Sequence, residues 1–172
     1  MSPRSSPARS RRRVSTENLI SELASLDTDA ARRKFLARNP SLVRSDIVKK
    51  LAPAVVDKIR TDAHAALRLA EAAILIARKL RRKEDIALAL RAKANALFAS
   101  DDNLGAVEHH DQAFKIYESL KIWKEAARTL SNSIQPLILL GEYDRAFAAS
   151  ERARQIFTQL GEERRLASLE NN

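Results

Sequence analysis

Three histidines are the side chains here whose charge would change near neutral pH, and two of them, His109 and His110, are adjacent. A zinc-binding helix presents histidines at i and i+4, on one face. Neighbouring helical residues point about 100° apart and cannot grip one ion. His64 has Arg68 at i+4. No metal site is expected, and no cofactor. The absence of cysteine removes thiolate zinc ligands, a cysteine nucleophile and a disulfide framework. There is no glycine-rich phosphate loop, no serine elbow and no acid pair in an apolar setting. Glu108 and Asp111 read as solvated charges on a helix face. The chain is expected not to be an enzyme and to take no small-molecule substrate.

The other charged feature is the N-terminus. The net charge is +9, and Arg4, Arg9, Arg11, Arg12 and Arg13 stand in a Ser/Pro-rich leader. Residues 14–172 keep 26 basic against 22 acidic residues, an ordinary solvated balance. Residues 1–14 are expected to be a disordered basic leader, too poor in apolar surface to order. Through Arg9, Arg11, Arg12 and Arg13 it would touch nucleic acid only non-specifically. Arg12-Arg13-Val14-Ser15 resembles a basophilic kinase site, but such triplets are common, and Ser15 already suits a helix cap. Trp123 falls between two predicted helices and reads as a staple from one hairpin to the next rather than a partner anchor.

These residues must be held by helices. Ala, Leu, Arg, Lys and Glu dominate, while Gly (3) and Pro (5) are scarce, so the class is all-α. The longest apolar run, Ala63 to Leu80, is broken by His64, Arg68, Glu71, Arg78 and Lys79, which predicts no membrane span. With no secretory signal either, the cytoplasm is the expected location.

An internal repeat organises the chain. Laid forty residues apart, segments 65–80, 105–120 and 145–160 align Ala66/Ala106/Ala146, Ala73/Ala113/Ala153, Ile76/Ile116/Ile156 and Leu80/Leu120/Leu160. Steps of seven, three and four place these columns on one helix face. Small alanines there let two helices approach closely. Partner helices share the period through Ala87/Ala127/Ala167, Leu90/Leu130 and Leu97/Leu137. The expected plan is two short helices within 15–40, then a repeat array over 41–172. That array holds a degenerate hairpin 45–80, hairpins 86–120 and 124–160, and a partial helix 164–172. Ser15 and Asp27 are the expected caps of the first two helices, the second burying Ala31, Phe35 and Leu36. Pro53 is expected to break, kink or restart the helix over 45–59.

The Gly141-Glu142-Tyr143 turn, Ala146 and Ala153 seven apart, and the Leu160-Gly161 ending resemble the tetratricopeptide repeat (TPR) in its longer, forty-residue variety. The resemblance covers about 61–172. Asp101 replaces its usual turn glycine, Ile134 a small residue, and Pro136 sits inside a helix. It implies a right-handed α-solenoid of antiparallel helix hairpins, and hence a protein–protein interaction adaptor or scaffold. Such repeats hold peptides in a concave groove lined by the first helix of each hairpin. Here that puts Arg91, Asn95, Arg128, Asn132 and Gln135 at a groove for an acidic or polar peptide or partner protein. Arg91, Asn95 and Asn132 match the carboxylate-clamp pattern of some TPR proteins, but Ser168 and Asn172 do not. Reversing Arg91 and Arg128 to glutamate is expected to abolish capture with helicity intact.

The segment DAARRKFLARNPSLVRSDIV (29–48) is similar to the region preceding such repeats in bacterial CHAT-domain proteins. That implies, as an alternative, the non-catalytic sensor or adaptor portion of a CHAT-type peptidase system. A regulator using its basic arm on nucleic acid is the other. The stub after Gly161 leaves the last hairpin partly covered, so a homodimer through the uncovered C-terminal face is a further expectation.

Overall fold

The computed structural model describes residues 16–170. The leader 1–14 with its arginines, the Ser15 cap and residues 171 and 172 lie outside them. Among the described residues every regular element is helical. The order is α1 (Thr16–Ser25), α2 (Asp29–Arg38), a 3-10 turn (Pro40–Leu42), α3 (Ser45–Ile59), α4 (Ala63–Leu80), α5 (Lys83–Phe98), α6 (Asn103–Ser119), α7 (Trp123–Leu139), α8 (Tyr143–Leu160) and α9 (Glu163–Glu170). No described helix is long and apolar enough to cross a membrane.

From α3 onward each helix packs on the next, and α3 and α7 also touch α5. The alanine columns explain how closely. Ala66, Ala73, Ala106, Ala113 and Ala153 are fully buried, and Ala146 nearly so. A methyl group is all that fits between the backbones. The leucine column behaves differently: Leu80 is half-buried, while Leu120 and Leu160 are exposed at the helix ends.

The structural repeat is half the sequence repeat. From α4 on, helices start at 63, 83, 103, 123, 143 and 163. The residue two before each start from Lys83 onward has positive φ: Arg81, Asp101, Lys121, Gly141 and Gly161. At the last four turns the same pair of hydrogen bonds closes the helix. After α6, for example, the Ile122 N–H donates to the Tyr117 carbonyl (2.9 Å) and the Lys121 N–H to the Glu118 carbonyl (2.9 Å). This six-to-one, five-to-two pattern satisfies carbonyls the helix end leaves free. Short joints of two to four residues, recurring every twenty residues, make each helix reverse against its predecessor.

Only two of those left-handed positions carry glycine. Arg81 (φ 55) and Lys121 (φ 57) hold a Cβ against the following carbonyl. Substituting glycine at both is expected to stabilise the fold by about 0.5–1 kcal/mol per site, and a raised urea midpoint at constant m would register it. Gly161→Ala should shift the midpoint the other way. Nothing lies near its missing Cβ, so the cost there is purely conformational.

The N-terminal helices depart from expectation in detail. Thr28, not Asp27, caps α2, its hydroxyl accepting from the Ala31 N–H at 3.2 Å. Ala31 and Phe35 are only half-buried; Leu36 and Arg32 are the sealed residues. A buried arginine needs anions, and Arg32 Nη1 meets Asp29 at 3.0 Å and Glu71 of α4 at 2.8 Å. Arg68 Nε donates to the Ala24 carbonyl at 3.2 Å, so α4 holds both small helices. Pro53 neither breaks nor restarts its helix: α3 runs through it. Pro136 likewise lies inside α7.

Candidate functional site

A cavity of about 500 Å³ opens between α3, α5 and α7. Each helix contributes a stripe at helical spacing: Lys49, Ala52, Pro53, Val56 and Asp57 from α3, Leu88, Arg91, Ala92 and Asn95 from α5, and Arg128 and Asn132 from α7. Its walls differ. On the α3 side Ala52, Pro53 and Val56 face Leu88 and Ala92 as an apolar floor, and Val56 is 50% exposed. Toward α7 the lining is polar. Position is fixed partly at the helix starts, where Ser45 Oγ of α3 donates at 2.8 Å to the buried carboxylate of Asp85 in α5.

Four of the five residues expected at a groove meet in this cavity: Arg91, Asn95, Arg128 and Asn132. Gln135 is half-buried and lies outside its lining. The roles of the four are unequal. Arg91 is 6% exposed. Its Nη1 donates to the Glu125 carbonyl at 3.2 Å, its Nη2 pairs with the Glu125 carboxylate, and its guanidinium lies over the Tyr117 ring, 5.3 Å from the centroid. Burial raises the Tyr117 hydroxyl to about 12. Glu125 is itself shared, because Arg128 Nη1 donates to both of its oxygens at 3.0 and 3.1 Å. Burial pushes the Glu125 carboxyl up, but Arg91 and then Arg128 outweigh it and hold its pKa below the ordinary value. Arg91 is thus a wall brace. Reversing it would disrupt the fold, so it is no clean probe of capture.

Asn132 Nδ2 donates to Asn95 Oδ1 at 3.1 Å. That bond orients both amides and uses one donor and one acceptor lone pair. Asn132 Oδ1 and the Asn95 Nδ2 hydrogens retain an acceptor and donors side by side. Across the cleft, Pro53 has no N–H to give to the Lys49 carbonyl four residues earlier, which removes that helical bond to the carbonyl beside the Pro53 ring. Amide donors, an amide acceptor and a helix carbonyl released from its usual bond therefore surround an apolar floor.

Sequence reasoning missed the α3 wall because α3 sits off the forty-residue register, although its own stripe 49, 52, 53, 56 was readable. It missed Glu125 because nothing at a separation of 34 residues marks a partner for Arg91.

The histidines stand apart from this cleft. His109 Nδ1 lies 2.7 Å from the Gly105 carbonyl, an i, i−4 contact along its own helix. His110 is fully buried, and neither ring nitrogen has a hydrogen-bond partner. Burial, then the neighbouring Arg91 and His109 charges, lowers its pKa to about 3. Among the described residues no three histidine, aspartate or glutamate side chains converge as metal ligands. Trp123 is the first residue of α7, 36% exposed, beside Ile156 and Leu160 of α8. No protein-family model matches the sequence, and no curated protein matches it.

Proposed function

We propose that this chain is a binding module of the tetratricopeptide kind, a right-handed solenoid whose α3–α5–α7 cleft holds a short extended segment of a partner protein. The observation that carries the reading is the Asn95–Asn132 amide pair over the apolar floor of Val56 and Leu88. An extended peptide offers one N–H and one C=O per residue, which an oriented amide pair can satisfy together. An aliphatic side chain of the same segment fits the floor. Arg128 and Lys49 favour acidic residues on either side, though Glu125 already occupies part of the Arg128 fork. The repeat columns, with alanine buried at each equivalent position, support the solenoid. The proposed activity is adaptor-like: capture without chemistry.

A random heptapeptide display library tests this on the intact chain. Enriched peptides should carry an aliphatic residue next to acidic ones. Asn132→Ala and Val56→Arg change exposed side chains and leave circular dichroism unaltered. Each should weaken a selected peptide by about tenfold, the equivalent of one or two lost contacts. Binding unchanged in both variants would remove the cleft from consideration.

A further inference from the structure

A second cavity, of about 270 Å³, lies between α2, α4, α5 and α6. It is separate from the cleft. Lys93, its α5 residue, is two positions from both Arg91 and Asn95, hence about 200° round the helix from each. The apolar part of its lining is Ile74 and Leu75 of α4. The rest is charged or polar, and the signs balance: Asp27, Asp29 and Glu71 against Arg32, Arg78 and Lys93. A site for a lone anion or a lone cation would carry an excess of one sign. A balanced lining suits a molecule that is itself dipolar. His109 adds an acceptor: its Nδ1 gives its hydrogen to the Gly105 carbonyl (2.7 Å), so Nε2 of the neutral ring has a lone pair.

The charged groups are unequally spent. Glu71 is held by Arg32 at 2.8 Å and by Lys93 at 4.0 Å. Asp29 also meets Arg32, at 3.0 Å, but its side chain is 60% exposed, and Asp27, 84% exposed, has Arg68 at 4.0 Å. Both can accept from a further donor. Arg78 is exposed and makes no ion pair among the described residues. Arg32 is the residue that points to a ligand. It is 1% exposed, and its Nη1 alone serves both carboxylates, while Nε and Nη2 have no partner. Those two nitrogens share one edge of the guanidinium, the fork that receives both oxygens of a carboxylate. Buried donors left unpaired cost free energy that a carboxylate there would recover.

We propose that this cavity binds a free α-amino acid with an aliphatic side chain. The ligand carboxylate takes the Arg32 fork, with Arg78 and Lys93 adding to the positive wall. The ammonium goes to Asp29 and Asp27, and the side chain lies on Ile74 and Leu75. The spacing agrees, because one carbon separates the two charged groups of an α-amino acid, and Arg32 and Asp29 are 3.0 Å apart. So does the charge, since such a molecule is neutral overall, as the lining is. An acidic or basic side chain would place an unmatched charge over the apolar floor. The volume agrees too: it lies just under the roughly 300–1,000 Å³ typical of drug-sized ligands.

Calorimetric titration of the full chain with leucine, isoleucine, valine and methionine tests the proposal. At least one should bind with Kd near about 100 µM and raise Tm by a few degrees at about 10 mM. Leucinamide, which lacks the carboxylate, and N-acetyl-leucine, which lacks the ammonium, should each bind at least about tenfold more weakly than leucine, as should glutamate and lysine. Arg32→Lys keeps a charge between Asp29 and Glu71 but removes the fork, and should abolish binding. Arg78→Gln/Lys93→Gln changes less buried side chains, so it decides the matter should Arg32→Lys fail to fold; it should weaken binding by about tenfold with circular dichroism unaltered. No heat and no Tm rise with any of the four amino acids would overturn the proposal. So would N-acetyl-leucine or leucinamide binding as well as leucine, or an undiminished affinity in Arg78→Gln/Lys93→Gln. Asn132→Ala, in the cleft, should leave amino-acid binding unchanged, so this site and the peptide cleft stand or fall separately.

Discussion

Glu125→Ala is expected to lower the unfolding free energy by about 2–4 kcal/mol, more than a typical surface-charge substitution by several-fold. The reason is what it strands. Arg91 is 6% exposed, and Glu125 supplies its only salt bridge among the described residues. Remove the carboxylate and a guanidinium stays out of water with the Tyr117 ring and the residue 125 carbonyl for company. Arg128 loses a partner too, but it is more exposed and water replaces much of that contact. Urea denaturation of Glu125→Ala and of Arg91→Met/Glu125→Leu separates the components. Removing both charges should restore most of the loss, since the penalty comes from an uncompensated ion rather than from the absent bridge. A double variant no more stable than Glu125→Ala would mean that Arg91 contributes through shape alone. The same carboxylate gives an acid limb: its folded pKa is lowered, so its stabilisation is present above the unfolded value and lost as pH falls through the folded one.

The second large effect lies at milder pH. His110 has a folded pKa of about 3 against about 6.5 when unfolded, so the unfolded chain binds the extra proton. The stabilisation of the folded state is therefore complete above pH 6.5 and is lost progressively as pH falls toward 3. From pH 7 to pH 5 the loss should be about 2 kcal/mol, a window in which most carboxylates remain ionised. His109, whose pKa burial also lowers against the Gly105 contact, adds in the same direction. His110→Leu isolates the larger contribution. It should flatten the Tm profile between pH 7 and 5 and be no less stable at pH 7, since it removes two buried nitrogens without partners. A His110→Leu profile parallel to wild type would show that the acid sensitivity arises elsewhere.

Both effects come from buried polar groups, and neither could be read from the sequence. Adjacent histidines on a helix are legible as not a metal site, but which of them faces inward depends on the neighbouring helices. The 1.5 Å rise and 100° step fix faces relative to one another, not relative to solvent. Arg91 was similarly readable as a residue on the first-helix stripe, and it does reach the cleft. That its charge is already spent on Glu125 is a fact of α5 meeting α7.

What the sequence determined by itself was the helical class, the forty-residue period and the alanine columns that let helices approach. These rest on composition and spacing, which act locally and repeat. It also placed Arg91, Asn95, Arg128 and Asn132 on one stripe per helix. Tertiary structure alone decided the rest. Turns of one geometry halve the period to twenty residues, because left-handed φ at Arg81, Asp101 and Lys121 is imposed by the docked helices and not by residue type. Pro53 stays inside α3, and α3 completes the cleft. Phe147 is bare while Val107, its counterpart forty residues earlier, is sealed. Burial belongs to the neighbours a side chain meets, and those neighbours are dozens of residues away along the chain.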